Sequence, residues 1–239
     1  GEASADYAGF SVAMVGDVDG DGLADLWVGA TNNDDAGSEA GKAYLILGAS
    51  LGSSTSIDLG DADYSFSGEK SNDWAGESVA GAGDVDGDGL DDLLVGAVEP
   101  PDGEKDAGKA YLIFGASLDP DSPSISLSDA DYVFEGEASE DEAFIVAGAG
   151  DVDGDGLADI LVGAHRNDDG GSESGKACLF LGASLGSSTT ISLADADYSF
   201  VGDSTYGNAG GAVAGAGDID GDGLGDLLIG AYAQDDGGT

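Results

Sequence analysis

The chain is poor in several residue types on which function is most often built. It has one cysteine, Cys178, so an internal disulfide is excluded and something other than sulfur must staple the protein if it works outside the cell. Cys178 falls where sister repeats carry Tyr44 and Tyr111, and it reads as a small core residue rather than a reactive thiol. Six Lys and Arg stand against 49 Asp and Glu, a net charge of −43, which excludes nucleic acid as an ordinary partner and opposes anionic lipid surfaces. No apolar run approaches the roughly 20 residues of a membrane-spanning helix, so no membrane insertion is expected. No signal peptide opens the chain. The only histidine, His165, has no acidic partner assignable from spacing, which leaves Ser-His-Asp and Cys-His catalysis without support. Paired carboxylates of the kind glycoside hydrolysis uses are abundant, but most fall in the loops described next. A non-catalytic protein is expected.

Acid and glycine are plentiful. The stretch Asp17-Val18-Asp19-Gly20-Asp21-Gly22-Leu23-Ala24-Asp25 packs four carboxylates into nine residues, and copies start at Asp84, Asp151 and Asp218. Each puts Asp at positions 1, 3 and 5 and at position 9, with Gly at position 6, a spacing that lets a sharply turned backbone aim its acids at one centre. Two unit charges of like sign 4 Å apart repel by roughly 4 kcal/mol at an effective dielectric of 20, so such a loop needs a cation to stay closed. An oxygen-only donor set suits a hard ion, and Ca²⁺ is expected in all four loops. The expected ligands are Asp17, Asp19, Asp21 and Asp25 with the Leu23 carbonyl, then Asp84, Asp86, Asp88, Asp92 and Leu90. In the later copies they are Asp151, Asp153, Asp155, Asp159 and Leu157, and Asp218, Asp220, Asp222, Asp226 and Leu224. An EF-hand is excluded because its bidentate Glu at position 12 is replaced by Val28, Val95, Val162 or Ile229, all in strand-like runs. Four such ions would still leave a charge of about −35, best tolerated where salt screens it. Disorder is argued against by a 41% apolar content set in regular short runs.

The loops recur every 67 residues, and the surrounding text recurs with them. Each unit reads as four short strands. The first, at 10–15, 77–82, 144–149 and 211–216, is rich in Gly and Ala, as strands crowded together would be. The second, at 26–28, 93–95, 160–162 and 227–229, is apolar throughout and must be covered on both faces. The third, at 43–47, 110–114 and 177–181, follows Gly-Lys, and the fourth, at 64–66, 132–134 and 198–200, tends to alternate as an outer strand does. Nothing reads as a long amphipathic helix. Four-stranded antiparallel units of constant length that each need a neighbour describe an all-β fold of propeller blades. The expected boundaries are 1–67, 68–135 and 136–201 for three complete blades, with 202–239 a partial fourth.

The run from Val12-Ala13 through Gly16-Asp17-Val18-Asp19-Gly20-Asp21-Gly22 to Asp25-Leu26-Trp27-Val28-Gly29-Ala30 resembles the FG-GAP repeat of the integrin α-subunit propeller. The likeness extends over nearly the whole chain. It departs from the family pattern in two places: Phe-Gly is reversed at Gly9-Phe10, and the Pro after Gly-Ala is Thr31, Val98, His165 or Tyr232. The resemblance implies a propeller of about seven blades, with calcium loops on the lower face and ligands bound on the upper.

A fourth unit that ends after its second strand leaves an open edge beside 227–229, and open edges invite pairing. Membership of a longer repeat tract is the first expectation. A four-bladed closed ring and strands donated by a neighbouring subunit are the alternatives, and an array or filament would suit so regular a unit. Recognition is expected in the loops opposite the metal, 31–41, 98–108 and 165–175 together with 68–76, 136–143 and 202–210. There Tyr7, Trp74, Tyr206, His165 and Arg166 are candidate contacts, and Asp34-Asp35 and Asp168-Asp169 candidate weak cation sites. Two functions are thus expected: an extracellular or cell-surface calcium-binding adhesion or structural module, or a protein- or carbohydrate-recognising accessory domain of a secreted enzyme.

Overall fold

The computed structural model describes residues 2–3, 5–52, 55–98 and 107–233, and in them the chain is all-β. The first blade is β1 (Ala8–Met14), β2 (Leu26–Ala30), β3 (Lys42–Ile46) and β4 (Tyr64–Ser67). The second is β5 (Ser78–Gly83), β6 (Asp92–Ala97) and β7 (Lys109–Ile113), then a short β8 (Ser124–Ser126) and β9 (Tyr132–Glu135). The third repeats this as β10 (Ala143–Gly150), β11 (Asp159–Ala164), β12 (Lys176–Phe180), β13 (Thr190–Ser192) and β14 (Tyr198–Val201). In the fourth, β15 (Ala209–Gly217) and β16 (Asp226–Ala231) are described. Within each blade successive strands pair antiparallel, so the sheets are propeller blades.

Two elements depart from the expected four-stranded unit. β8 leaves its own blade and pairs in parallel with β4 of the first, Phe66 opposite Ile125, and β13 does the same on β9, Phe134 opposite Ile191. The first two blades are therefore five-stranded, each finished by its successor.

Cores lie between blades. Trp27, Leu45 and Phe66 of the first meet Leu93, Val95, Tyr111 and Leu127 of the second, and the Trp27 indole donates to Leu94 O at 3.0 Å. Leu94, Leu112 and Phe134 of the second meet Val146, Ile160, Cys178 and Phe180 of the third. This is why the second strands are apolar on both faces. Cys178 is fully buried, and burial pushes its thiol up to about 11, in keeping with a core role.

The inner strands β1, β5, β10 and β15 stack almost backbone to backbone. A Cβ on Gly148 would stand 2.5 Å from Gly81 O, and one on Gly215 2.5 Å from Gly148 O. Gly81 approaches Val15 Cα in the same way, and Met14 holds the corresponding place in β1. Val79 is 8% exposed between blades, whereas its counterpart Val12, on the outer face of the first blade, is 69% exposed.

Ion pairs fasten the opposite rim. Lys42 Nζ reaches Glu2 at 2.9 Å and Asp35 at 2.7 Å; Lys176 reaches Glu137 and, at 2.9 Å, Asp169; Lys109 lies 3.6 Å from Glu69. Half of the chain's few cations thus sit at one repeat position, each holding an acid from the stretch that precedes its blade. Burial works against the Lys176 charge, yet its hydrogen bonds to Glu137 and Asp169 carry its pKa above the ordinary lysine value.

Candidate metal centres

Each acidic loop joins the first two strands of a blade. It closes because Gly20 and Gly22 take left-handed conformations, φ +78° and +86°, which L side chains resist. The carboxylates fold inward onto main-chain amides. Asp17 Oδ1 accepts from Asp21 N at 3.0 Å and its Oδ2 from Gly22 N at 2.8 Å; Asp19 Oδ1 accepts from Asp21 N at 3.2 Å. The same Oδ2 bond recurs from Asp84 to Gly89, Asp151 to Gly156 and Asp218 to Gly223, at 2.9–3.0 Å.

Position 9 ties the loop to the rest of the blade. Asp25 Oδ2 accepts from Val18 N at 2.8 Å and Oδ1 from Gly48 N, at the end of β3, at 2.7 Å. Asp92 and Asp159 repeat both bonds, to Val85 and Gly115 and to Val152 and Gly182. Asp226 repeats the first, from Ile219 N. Asp25, Asp92 and Asp159 are 0% exposed. Burial raises all three, Asp92 to about 7, with the neighbouring loop acids adding to the rise and the backbone bonds opposing it. Burial likewise raises Asp86.

Three acids of each loop converge. One oxygen from each of Asp17, Asp19 and Asp25 lies within 4.8 Å of the others, and Asp84, Asp86 and Asp92, Asp151, Asp153 and Asp159, and Asp218, Asp220 and Asp226 repeat the group. Asp21, Asp88, Asp155 and Asp222 stand outside these triads. Their Oδ1 atoms accept from Leu23, Leu90, Leu157 and Leu224 N at 2.7–2.9 Å. The leucines also link loops through their side chains: Leu90, Leu157 and Leu224 each lie over the position-4 glycine of the preceding loop, Gly20, Gly87 and Gly154. Leu23 lies over no loop glycine among the described residues and is 49% exposed.

A family model described as the FG-GAP repeat matches residues 8–46, 75–113 and 145–177. The chain carries FG-GAP repeats in these three segments. It is 29% identical over 236 residues to integrin alpha-PS2 of Drosophila melanogaster and 30% identical over 241 residues to integrin alpha-5 of Xenopus laevis, each match covering 96% of this chain. To human integrin alpha-IIb it is 32% identical over 174 residues, 69% of this chain. It spans 15 to 20% of the length of these relatives. The FG-GAP matches take in the first three acidic loops whole.

On the rim opposite the loops, the structure supplies what spacing did not. His165 Nε2 lies 3.1 Å from Glu142 Oε2, and Arg166 Nη1 lies 2.7 Å from Glu142 Oε1. The hydrogen bond from His165 holds the Glu142 carboxyl below its ordinary range. Tyr7, Trp74, Glu142 and Asn208 all take positive φ, +48° to +53°, just before the inner strand of a blade. Such backbone strain at one repeated position marks these residues for positioning, and their left-handed φ has no signature in the sequence. Tyr7, Trp74 and Tyr206 are exposed. The acid pairs expected as weak cation sites are already engaged: Asp35 and Asp169 hold Lys42 and Lys176, while Asp34 and Asp168 accept from Glu39 and Glu173 N. The loop at 98–108 lies largely outside the described residues.

Proposed function

We propose that this chain is a calcium-binding β-propeller segment that acts outside the cell as a non-catalytic adhesion or structural module. The observation that carries the reading is the fourfold recurrence of an aspartate triad at the same strand junction, with its anchor, Asp25, Asp92 or Asp159, fully buried in the first three. Hard oxygen donors in a flexible loop suit Ca²⁺ better than Mg²⁺, which demands tighter octahedral geometry. In this reading Asp17, Asp19, Asp21, Asp25 and the Leu23 carbonyl hold one ion, and the equivalent residues of the other loops hold three more. The blades are delimited as 1–67, 68–135, 136–201 and 202–239. A bound cation removes the like-charge repulsion that otherwise opens each loop, so calcium does the stapling that a single cysteine cannot do.

An extracellular or surface location is supported by the acidity of the chain and its likeness to integrin alpha subunits. Among the described residues no helix is long and apolar enough to cross a membrane. A protein ligand is proposed for the face opposite the calcium loops, where Tyr7, Trp74, Tyr206 and Arg166 are exposed and Glu142 holds His165 and Arg166 in place. The edge of β16 is proposed as a route to self-association. The test is thermal unfolding with excess Ca²⁺, with chelator, and with Mg²⁺ in place of Ca²⁺. Calcium should raise the melting temperature strongly and Mg²⁺ should restore little of it; equal melting in all three overturns the reading.

A further inference from the structure

The geometry points to positive coupling between neighbouring cation sites: each acidic loop is held in shape by the next, so filling one site raises affinity at the adjoining ones. The inference rests on the calcium reading above and concerns how those same sites are regulated. Two contacts recur at all three boundaries between loops. The main-chain carbonyl at position 1 accepts from the position-8 N–H of the following loop: Asp17 O from Asp91 N at 3.1 Å, Asp84 O from Ala158 N at 2.8 Å and Asp151 O from Gly225 N at 2.7 Å. The position-7 leucine of the following loop lies over the position-4 glycine. A Cβ on Gly20, Gly87 or Gly154 would stand 2.8–3.0 Å from Cδ2 of Leu90, Leu157 or Leu224.

A third contact joins the position-9 acids themselves. Val18 donates its N–H to Asp25 of its own loop at 2.8 Å, and its carbonyl abuts Gly115, where an added Cβ would stand 2.7 Å away. Gly115 N in turn donates to Asp92 Oδ1 at 3.0 Å. The same relay continues into the third blade. Val85 N donates to Asp92 Oδ2 at 2.8 Å, its carbonyl abuts Gly182, and Gly182 N donates to Asp159 Oδ1 at 3.0 Å. Val18 and Val85 are fully buried in the clusters between blades, so the relay runs through packed core.

The sign follows from what neighbouring loops share. Holding an ion in the second loop requires the Leu90 carbonyl and the Asp92 carboxylate to be fixed. Residues 90–92 also carry the Leu90 side chain, the Asp91 N–H and the tie to Gly115, all of which bear on the first loop. Part of the ordering that the first loop needs is then in place before it binds, and its affinity rises. By linkage the first site returns the same factor to the second. Charge acts the other way, because an ion in one loop weakens the negative potential that draws a cation to its neighbour. Salt screens that opposition, with a Debye length of about 8 Å at physiological ionic strength, and leaves packed contacts untouched.

The test is calcium titration of the full, isotope-labelled chain at physiological salt, with and without Asp86→Ala and Asp88→Ala, each loop being read from its own glycine amide shifts. The double substitution removes two negative charges together with an ion's two positive ones, so the second loop keeps the net charge of its loaded state. Affinity at the first and third loops should fall about tenfold, and at the fourth, which these contacts join to the third, much less. Leu157→Ala keeps every expected oxygen ligand and removes the side chain over Gly87; in that background the double substitution should lower third-loop affinity by a smaller factor. If the doubly substituted chain does not fold, L157A decides: the second and third loops should weaken together by roughly threefold, and the first and fourth much less. Unchanged or raised affinity at the neighbours of the altered loop, or an equal fall at every loop, overturns the coupling and leaves the calcium reading standing. Calcium binding absent from all four loops overturns both.

Discussion

Asp17 and Asp91 bind each other twice across the first blade boundary: Asp91 N donates to Asp17 O at 3.1 Å, and Asp17 N donates to Asp91 Oδ2 at 2.7 Å. The main-chain half of this clasp recurs as Ala158 N to Asp84 O and Gly225 N to Asp151 O, at 2.8 and 2.7 Å. The side-chain half belongs to the first boundary alone, because position 8 of the later loops is Ala158 or Gly225. The first residue of one acidic loop is thereby positioned by the eighth of the next.

Replacing Asp91 by Ala should therefore cost about 1–2 kcal/mol, the loss of a charge-assisted bond, and weaken cation binding at the first loop more than at the third. Urea unfolding and calcium titration of the D91A chain measure the two effects separately.

Stability should depend on pH differently with and without metal. Burial holds the Asp92 carboxyl at about 7, above its ordinary 3.8. A raised carboxyl contributes stability that is present below the ordinary value and is lost as pH rises through the folded value, here on the order of 4 kcal/mol at full ionisation. The calcium-depleted chain should thus melt at progressively lower temperature between pH 4 and pH 7. With calcium the ionised form is the favoured one, and the fall should be absent. Melting curves across that range with and without Ca²⁺ check both signs.

Gly148→Ala should destabilise by roughly 1–3 kcal/mol, since the added methyl meets Gly81 O and the two inner strands must separate. Met14→Gly, on the outer face, removes a side chain that is largely exposed and should change stability far less. Parallel chemical unfolding of the two chains makes the comparison.

Lys176→Met leaves Glu137 and Asp169 facing each other without their cation. A loss of about 2–4 kcal/mol is expected, below the full cost for buried pairs because Asp169 is partly exposed. Raising pH through the carboxylate range should deepen the deficit. The K176M chain unfolded at pH 4 and at pH 7 tests this.

The blades and loops were legible in the sequence for local reasons. Aspartates spaced 1, 3, 5, 9 with Gly22-type turns encode a loop by themselves, and runs such as Leu93-Leu94-Val95 encode a strand covered on both faces. β8 and β13 were not legible, because three residues, Ser-Ile-Ser or Thr-Ile-Ser, carry no periodicity and their partner lies in another blade. The Glu142–His165 pair was hidden for a related reason: residues 132–143 stand one place later than the 67-residue frame, so Glu142 rather than Asp141 takes the place of Trp74. The clasp of Asp91 on Asp17 depends on how neighbouring blades stack, which no single repeat contains.

The central claim is that the four aspartate nests are cation sites, and counting bound calcium by equilibrium dialysis tests it most directly. Four ions per chain are expected, one for each converging triad, and three for a chain carrying Asp86→Ala and Asp88→Ala. Binding that is absent, or that is unchanged in the doubly substituted chain, contradicts the account.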